Sequence, residues 1–575
     1  MKSKKKENAD KKSFFFEDYN ESEILFNNIK NKNVKISLNR TTFLFFVFFS
    51  LIFIFSIKLT YLSLSSPPEK NFFSQKNIKN FIKERADIVD RNKIILARNI
   101  DIYSAGVRPQ LVQDKKKFMI KLRLIFPELE INQISKQLNN DKFFYIKKRL
   151  TEEEKTKLWL LGSKAIVFDK KQFRIYPQKN LLSHILGQID DDNIGISGIE
   201  KFFDKKLKSK KFINSSLNLT LDSNLQYLIR QELMNAKADF NNIGSAAILM
   251  DVENGEILSL VSLPDYDLNK RALIQNDIYT NKITLGVYEL GSVFKTFTVA
   301  AALENNVIKA NTVFKNLESH LTCDKYQINE HDKMPEDLSA EQILVRSSNI
   351  GAVKIAQKVG MEKYKKFLNS LGLFKKINFE LDEVGTPLSF KWGKCKLATA
   401  SYGHGITTTP LQLARAYAIL GNGGYKIEPS ITKKEINIVQ QREQIVSQKT
   451  SRTINSILRK VVSLNEGTAN FADVKGYEVG GKTGTALKYN SKAKLNTFVS
   501  LFPASSPKYV LLVMLDEPKS APNFVYQFPP SEEFPNGYKH KGEKRNTSGW
   551  NTVVVAGKII EKIGPILAIN NLQAS

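Results

Sequence analysis

From Thr41 to Leu64 the chain reads TTFLFFVFFSLIFIFSIKLTYLSL, and its one charge, Lys58, lies near the far end, where the side chain can snorkel. A helix of about 20 such residues crosses the hydrocarbon core of a bilayer. The run therefore divides the chain into a short tail and a long remainder. A cleaved signal peptide would be shorter and nearer the N-terminus, and no small-residue cleavage site precedes Pro67-Pro68. Lys30, Lys32, Lys35 and Arg40 crowd the N-terminal flank. By the positive-inside rule, residues 1–40 are expected in the cytoplasm and 65–575 outside. The tail is polar and lysine-rich around Phe14-Phe15-Phe16, and is expected to be mostly disordered.

A chain of 575 residues has room for two or three domains. Its net charge of +28 raises nucleic acid as a partner. The lysines are spread along the chain among many Asn, Ile and Phe residues, as AT-rich coding produces, and no zinc-finger, RRM or helix-turn-helix pattern occurs. Nucleic acid is therefore not expected. Two cysteines, Cys323 and Cys395, exclude a disulfide framework and a four-thiolate zinc site but leave one bridge open. His320, Cys323 and His331 lie close together at a spacing that fits no zinc motif, so no metal is expected.

Residues 65 to about 215 mix short strands and charged helices. Two segments stand out there: Arg85 to Asn92, leading to Ile94-Ile95-Leu96, and Arg174-Ile-Tyr176-Pro177, followed by Gly195 to Glu200. Both read as salt-bridged turns between strands, a structural role that competes evenly with a functional one. Thr220-Leu221-Asp222 opens a Leu- and Gln-rich helix, which places a domain boundary near 215. Beyond it, Ser245–Val252 and Glu256–Ser262 flank Glu253-Asn254-Gly255, a hairpin signal.

The stretch Gly291-Ser292-Val293-Phe294-Lys295-Thr296-Phe297-Thr298 opens a helix expected to run to Glu304. A serine there is ordinarily an N-cap. Lys295, however, sits where a capping box carries Glu or Gln, and its cation faces the positive end of the helix dipole. Residues 297–303 are almost all apolar, so the lysine stem enters a low-dielectric interior that lowers its pKa. A neutral amine one turn from a hydroxyl can take its proton, which makes Ser292 a candidate nucleophile and Lys295 its base.

Two more clusters supply partners. Ser339-Ala-Glu-Gln342 is a capping box for a short helix ending at Arg346-Ser347-Ser348-Asn349, and a second helix is expected from Ile350 to Val359. The junction could be cap chemistry alone. Functionally, Ser347 could relay a proton and the Asn349 amide could hold a substrate carbonyl. Later comes Gly480-Gly481-Lys482-Thr483-Gly484-Thr485. Glycines weaken a strand but let an extended substrate lie against it. Lys482 and Thr483 would offer a cation and a hydroxyl to a carboxylate, and the N–H groups of Thr485 and Ser292 would form an oxyanion hole.

A rival occupies the same residues, because Gly476 to Thr483 satisfies G-x-x-x-x-G-K-[ST], and Val510–Leu515 with Asp516-Glu517 resembles a Walker B strand. A nucleotide-binding loop needs a hydrophobic strand before it and a helix after it. Here Asp473-Val-Lys precedes and Gly484 follows, and Pro518 to Gly549 reads as irregular loop, leaving too little chain for a parallel sheet.

S-x-x-K at Ser292 and Lys295, S-x-N at Ser347 and Asn349, and K-T-G at Lys482, Thr483 and Gly484 together resemble the signature of penicillin-binding proteins and class A β-lactamases. The segments from Arg85 and Arg174, LGVYELGSVFKTFT, YGHGITTTPLQLA (402–414) and VMLDEPK (513–519) narrow the likeness to class B penicillin-binding proteins, and more closely to the division-specific FtsI type of Gram-negative bacteria. In two places the chain departs from that pattern: Lys93 replaces the glycine of the pedestal turn, and Gln178-Lys179 lacks the family's common glycine.

The resemblance implies an α+β chain: a cytoplasmic tail (1–40), a transmembrane helix (41–64), an elongated pedestal (65–215), and a transpeptidase domain (216–575) built on a five-stranded antiparallel sheet flanked by helices. It implies peptidoglycan cross-linking at the septum, with stem peptides and β-lactams as ligands, no cofactor, and a SEDS-family glycosyltransferase and other divisome proteins as partners. An elongation-type class B transpeptidase or a D,D-carboxypeptidase is the alternative, and the P-loop ATPase a remote one. The implied location is the bacterial inner membrane, with one pass and the catalytic domain in the periplasm.

Overall fold

The computed structural model describes residues 32–65, 84–270, 276–324, 326–433, 442–489, 491–528 and 534–574. They divide into two units, Met1–Ile82 and Lys83–Ser575. In the first, the described residues form one helix, α1 (Lys32–Ser65), whose segment Thr42–Tyr61 has a mean hydropathy of 2.4 and is exposed throughout. The helix starts inside the stretch read as tail, and residues 1–31, with the Phe14 cluster, lie outside the described residues.

The second unit begins with strands β1 (Asp87–Val89), β2 (Ile95–Val107), β3 (Phe144–Lys147), β4 (Ile166–Ile175) and β5 (Ser216–Asn218). They form one sheet in the order β3-β2-β1-β5, and β4 also pairs with β2. A small core that includes Phe118, Leu122, Phe126, Leu138 and Leu158 packs beside it. The Arg85 and Arg174 segments are more than turns, because both guanidinium groups converge on one buried carboxylate. Arg85 Nε lies 2.5 Å and Arg174 Nε 2.7 Å from Glu200, and Arg85 also reaches Asp204 at 2.6 Å. Lys93 and Lys179 adopt left-handed conformations with φ of 67° and 52°.

Next come α2 (Ser223–Phe240), β6 (Gly244–Asp251) and β7 (Ile257–Leu263). Asp222 caps α2 by accepting from the Asn224 and Leu225 amides. The β6–β7 pair is the expected hairpin. Among the helices and the short hairpin that follow are α3 (Lys295–Glu304), β8 (His320–Cys323), β9 (Tyr326–Asn329), α4 (Ala340–Val345), α5 (Asn349–Val359), α6 (Lys396–Ser401), α7 (Pro410–Gly421) and α8 (Gln448–Ser463). The chain ends with β10 (Gly480–Leu487), β11 (Lys494–Phe502), β12 (Tyr509–Asp516), β13 (Ala521–Phe528), β14 (Tyr538–Glu543) and α9 (Thr552–Ala574).

The main sheet runs β10-β11-β12-β6-β7, every neighbour antiparallel. All eight residues of β12 are buried, so helices must cover both faces. Helices α2 and α9 pack together against the sheet, and so do α7 and α8. This geometry removes the nucleotide-binding reading: Lys482 and Thr483 lie inside an edge strand of an antiparallel sheet, and the next element is the strand β11 paired to it.

The expectation of an irregular loop over 518–549 is corrected. Within it, β13 and β14 pair as a hairpin. Pro518, Pro522, Pro529 and Pro530 mask the strand signal in the sequence. An aromatic cluster holds the hairpin, with Phe471 4.7 Å from Phe528 and Tyr526 5.1 Å from Trp550 between ring centroids.

Candidate active site

Ser292 lies in a 3₁₀ turn, Gly291–Phe294, that leads directly into α3. It does not cap α3, whose first flanking residue is Phe294. Residues 295–302 are all buried, so α3 is a central helix, as the apolar run predicts. The Tyr417 hydroxyl on α7 fixes its start, donating to the Val293 carbonyl at 2.8 Å and lying 2.8 Å from Thr296 Oγ1.

Strand β10 presses against this turn. A Cβ on Gly484 would stand 2.3 Å from the Leu290 carbonyl oxygen, and one on Gly291, at φ +66°, would stand 2.7 Å from that of Thr485. Only glycine at both positions permits this approach. It brings Ser292 beside Thr485, whose Oγ1 accepts from the Ser548 amide at 3.1 Å.

Lys295 Nζ donates to the Ser347 carbonyl (2.5 Å) and to Ser347 Oγ (3.2 Å). Lys482 Nζ reaches the same hydroxyl at 2.8 Å and Thr483 Oγ1 at 3.4 Å. Thr483 Oγ1 in turn lies 2.9 Å from Thr468 Oγ1. One serine hydroxyl thus bridges two buried lysines from helix and strand. Burial pushes the Lys295 amine down to about 7, against the pull of Glu330. Burial and then the charge of Lys295 push Lys482 well below the ordinary lysine value.

Ser347 itself has φ +63°, a left-handed conformation that costs a non-glycine residue on the order of 1–3 kcal/mol. The expected capping box precedes it, with Ser339 and Gln342 bonding reciprocally. Helix α5 starts at Asn349, one residue before the expected Ile350, and Ser348 is its N-cap, accepting from the Gly351 amide at 2.9 Å. Asn349 Nδ2 donates to the Asn329 carbonyl at 2.8 Å. All eight sequence-selected residues therefore lie around the start of α3, the α4–α5 junction and β10. Glu330 escaped the sequence reading, and no local pattern marks it. Cys323 bonds to Cys395, with Cα atoms 5.8 Å apart, which settles the open bridge and takes the thiol from the His320–His331 group.

A nucleophile-bearing helix start, a bridging serine and a basic glycine-rich edge strand define a serine acyltransferase of the penicillin-interacting kind. Residues 245–527 match the penicillin binding protein transpeptidase domain, and residues 83–218 the penicillin-binding protein dimerisation domain. The chain belongs to the class B penicillin-binding proteins.

It is 31% identical over 499 residues to the probable peptidoglycan D,D-transpeptidase FtsI of Caulobacter vibrioides, covering 84% of this chain and 82% of that one. To the peptidoglycan D,D-transpeptidase FtsI of Buchnera aphidicola subsp. Baizongia pistaciae it is 30% identical, covering 86% and 94%. The fold is shared with penicillin-binding protein 3 of Mycobacterium tuberculosis complexed with aztreonam, at TM-score 0.62 and 22% identity over 85% of this chain and 96% of that one.

Proposed function

We propose that this chain is a serine-type peptidoglycan D,D-transpeptidase of the division septum. The observation that carries the reading is the Lys295–Ser347–Lys482 network beside Ser292, in which Lys295 is buried and shifted to about 7. Neutral Lys295 takes the Ser292 proton, and Ser292 Oγ bonds to the carbonyl carbon of a stem peptide's D-Ala-D-Ala link. The oxyanion is received by the N–H groups of Ser292 and Thr485. Ser347 passes the proton to the departing amine, the C–N bond breaks, and D-alanine leaves an ester on Ser292. An amine from a neighbouring strand then attacks the ester and restores the serine. Lys482, Thr483 and Gly484 receive the donor's terminal carboxylate, and Asn349 holds its amide.

The division at about residue 215 separates a pedestal from this catalytic domain, and α1 anchors both with the tail in the cytoplasm. Septal action rests on the FtsI-named relatives, and a SEDS-family glycosyltransferase as partner rests on the sequence resemblance alone. Depletion should give filaments with unfinished septa, and rounded cells that still divide would favour the elongation-type alternative. The catalytic assignment is tested by intact-mass spectrometry after penicillin treatment. The wild type should gain one penicilloyl group and Ser292→Ala none, and an unmodified wild type would sink the assignment.

A further inference from the structure

Glu330 follows β9 directly and reaches across to the α4–α5 junction. Its Oε1 accepts from the Ser348 hydroxyl (2.5 Å) and the Ile350 amide (2.9 Å), and its Oε2 from the Asn349 amide (2.8 Å). A carboxylate is favoured there because the first amides of α5 lack partners within the helix and carry its positive dipole end. The cap itself is already supplied by Ser348. Glu330 therefore adds something a cap does not, a link from another element, and Asn329 repeats that link by accepting from Asn349 Nδ2. The β8–β9 hairpin that carries both residues is fastened by Cys323 to Cys395, the residue before α6.

The junction held in this way contains Ser347, whose strained backbone presents its carbonyl and hydroxyl to Lys295 and its hydroxyl to Lys482. Charged groups face Lys295 from two sides: Glu330 from the hairpin and Lys482 from β10. His331, next to Glu330, is held below its ordinary value by partial burial and then by the two lysines, so it stays uncharged near neutrality. Glu330 is thus the carboxylate that acts on the base.

We propose that Glu330 is a positioning residue of the acylation reaction: its carboxylate seats the Ser347–Asn349 junction and supplies the countercharge to Lys295. This rests on the reading of Ser292 as nucleophile and Lys295 as base. Glu330→Gln removes the charge and replaces one acceptor oxygen with a donor facing donors. Acylation should slow by roughly tenfold or more, as expected when bonds to a charged group are lost. Its dependence on pH should also move: without the countercharge Lys295 loses its proton more easily, so the rising limb shifts to lower pH.

The test measures acylation of the full-length chain in detergent by a fluorescent penicillin, from about pH 5.5 to 8.5. Glu330→Asp, which keeps the charge on a shorter stem, should lose rate with the limb unmoved. Ser348→Ala, which removes a cap and one Glu330 contact but no charge, should behave likewise. A Glu330→Gln protein with the wild-type rate, or with a slower rate and an unmoved limb, would overturn the proposal. So would a Ser348→Ala limb displaced to lower pH, an outcome that can be read even where Glu330→Gln does not fold. A wild type that takes no label would instead refute the Ser292 assignment.

Discussion

The acid limb of acylation can be given a size. An amine at the ordinary lysine value of 10.5 would be neutral in about one molecule in three thousand at pH 7. At about 7, where burial places Lys295, half the molecules hold the free base. Desolvation therefore supplies roughly three orders of magnitude in competent base. The neutral fraction rises about tenfold between pH 6 and 8, and the penicillin acylation rate should follow it and then level off. Stability carries the matching sign. Between about 7 and 10.5 the unfolded chain holds the proton and the folded one does not, so this group makes stability rise with pH across that window. Its full contribution is of order 5 kcal/mol, present above the unfolded value and lost as pH falls to about 7. Stopped-flow acylation and urea unfolding, each followed from about pH 6 to 10, measure the two together, with Lys295→Met as the control that flattens the second. A rate independent of pH from 6 to 8, or a limb near 10, would refute the reasoning.

In the pedestal, Glu200→Ala should cost about 3–5 kcal/mol in urea unfolding, because Arg174 would be left buried without a carboxylate, while Arg85 keeps Asp204. A loss below about 1 kcal/mol would mean that water reaches the site. Reducing the Cys323–Cys395 bridge, which spans 72 residues, should destabilise the second unit by about 4 kcal/mol, read as a lower thermal midpoint in reductant. Lys482→Ala should weaken penicillin capture, raising the concentration needed for half-maximal acylation by on the order of tenfold or more.

What the sequence made legible follows from range. The β6–β7 hairpin is local, written in alternation and a turn, and the helix from Ser292 is written in its apolar run. The three clusters of the candidate site were legible for another reason: a lysine facing a helix dipole and glycines in a strand each break a local rule, and such breaks point to function. Partners far apart in sequence left no such mark. Arg85 and Glu200 are 115 residues apart, so what read as salt bridges local to two turns is one buried ion cluster joining them. Glu330 breaks no local rule, and its role exists only because the chain folds back onto Ser348 and Ile350. The β13–β14 hairpin was hidden by prolines that its edge position tolerates.

The two lysines on one serine hydroxyl show how the site divides its labour. Both amines are desolvated, and two charges so placed repel each other in a low dielectric. Burial and then the charge of Lys295 both act against a proton on Lys482. Lys295 keeps its proton to about 7 because Glu330 faces it. A carboxylate arriving at Lys482 and Thr483 favours protonated Lys482, and the charge that returns there opposes a proton on Lys295. Under the proposed roles of these residues, capture of the donor's terminal carboxylate would offset the pull of Glu330 and favour the free base on Lys295 when Ser292 must lose its proton. Ser347, whose hydroxyl contacts both amines, lies on the path through which that exchange would run.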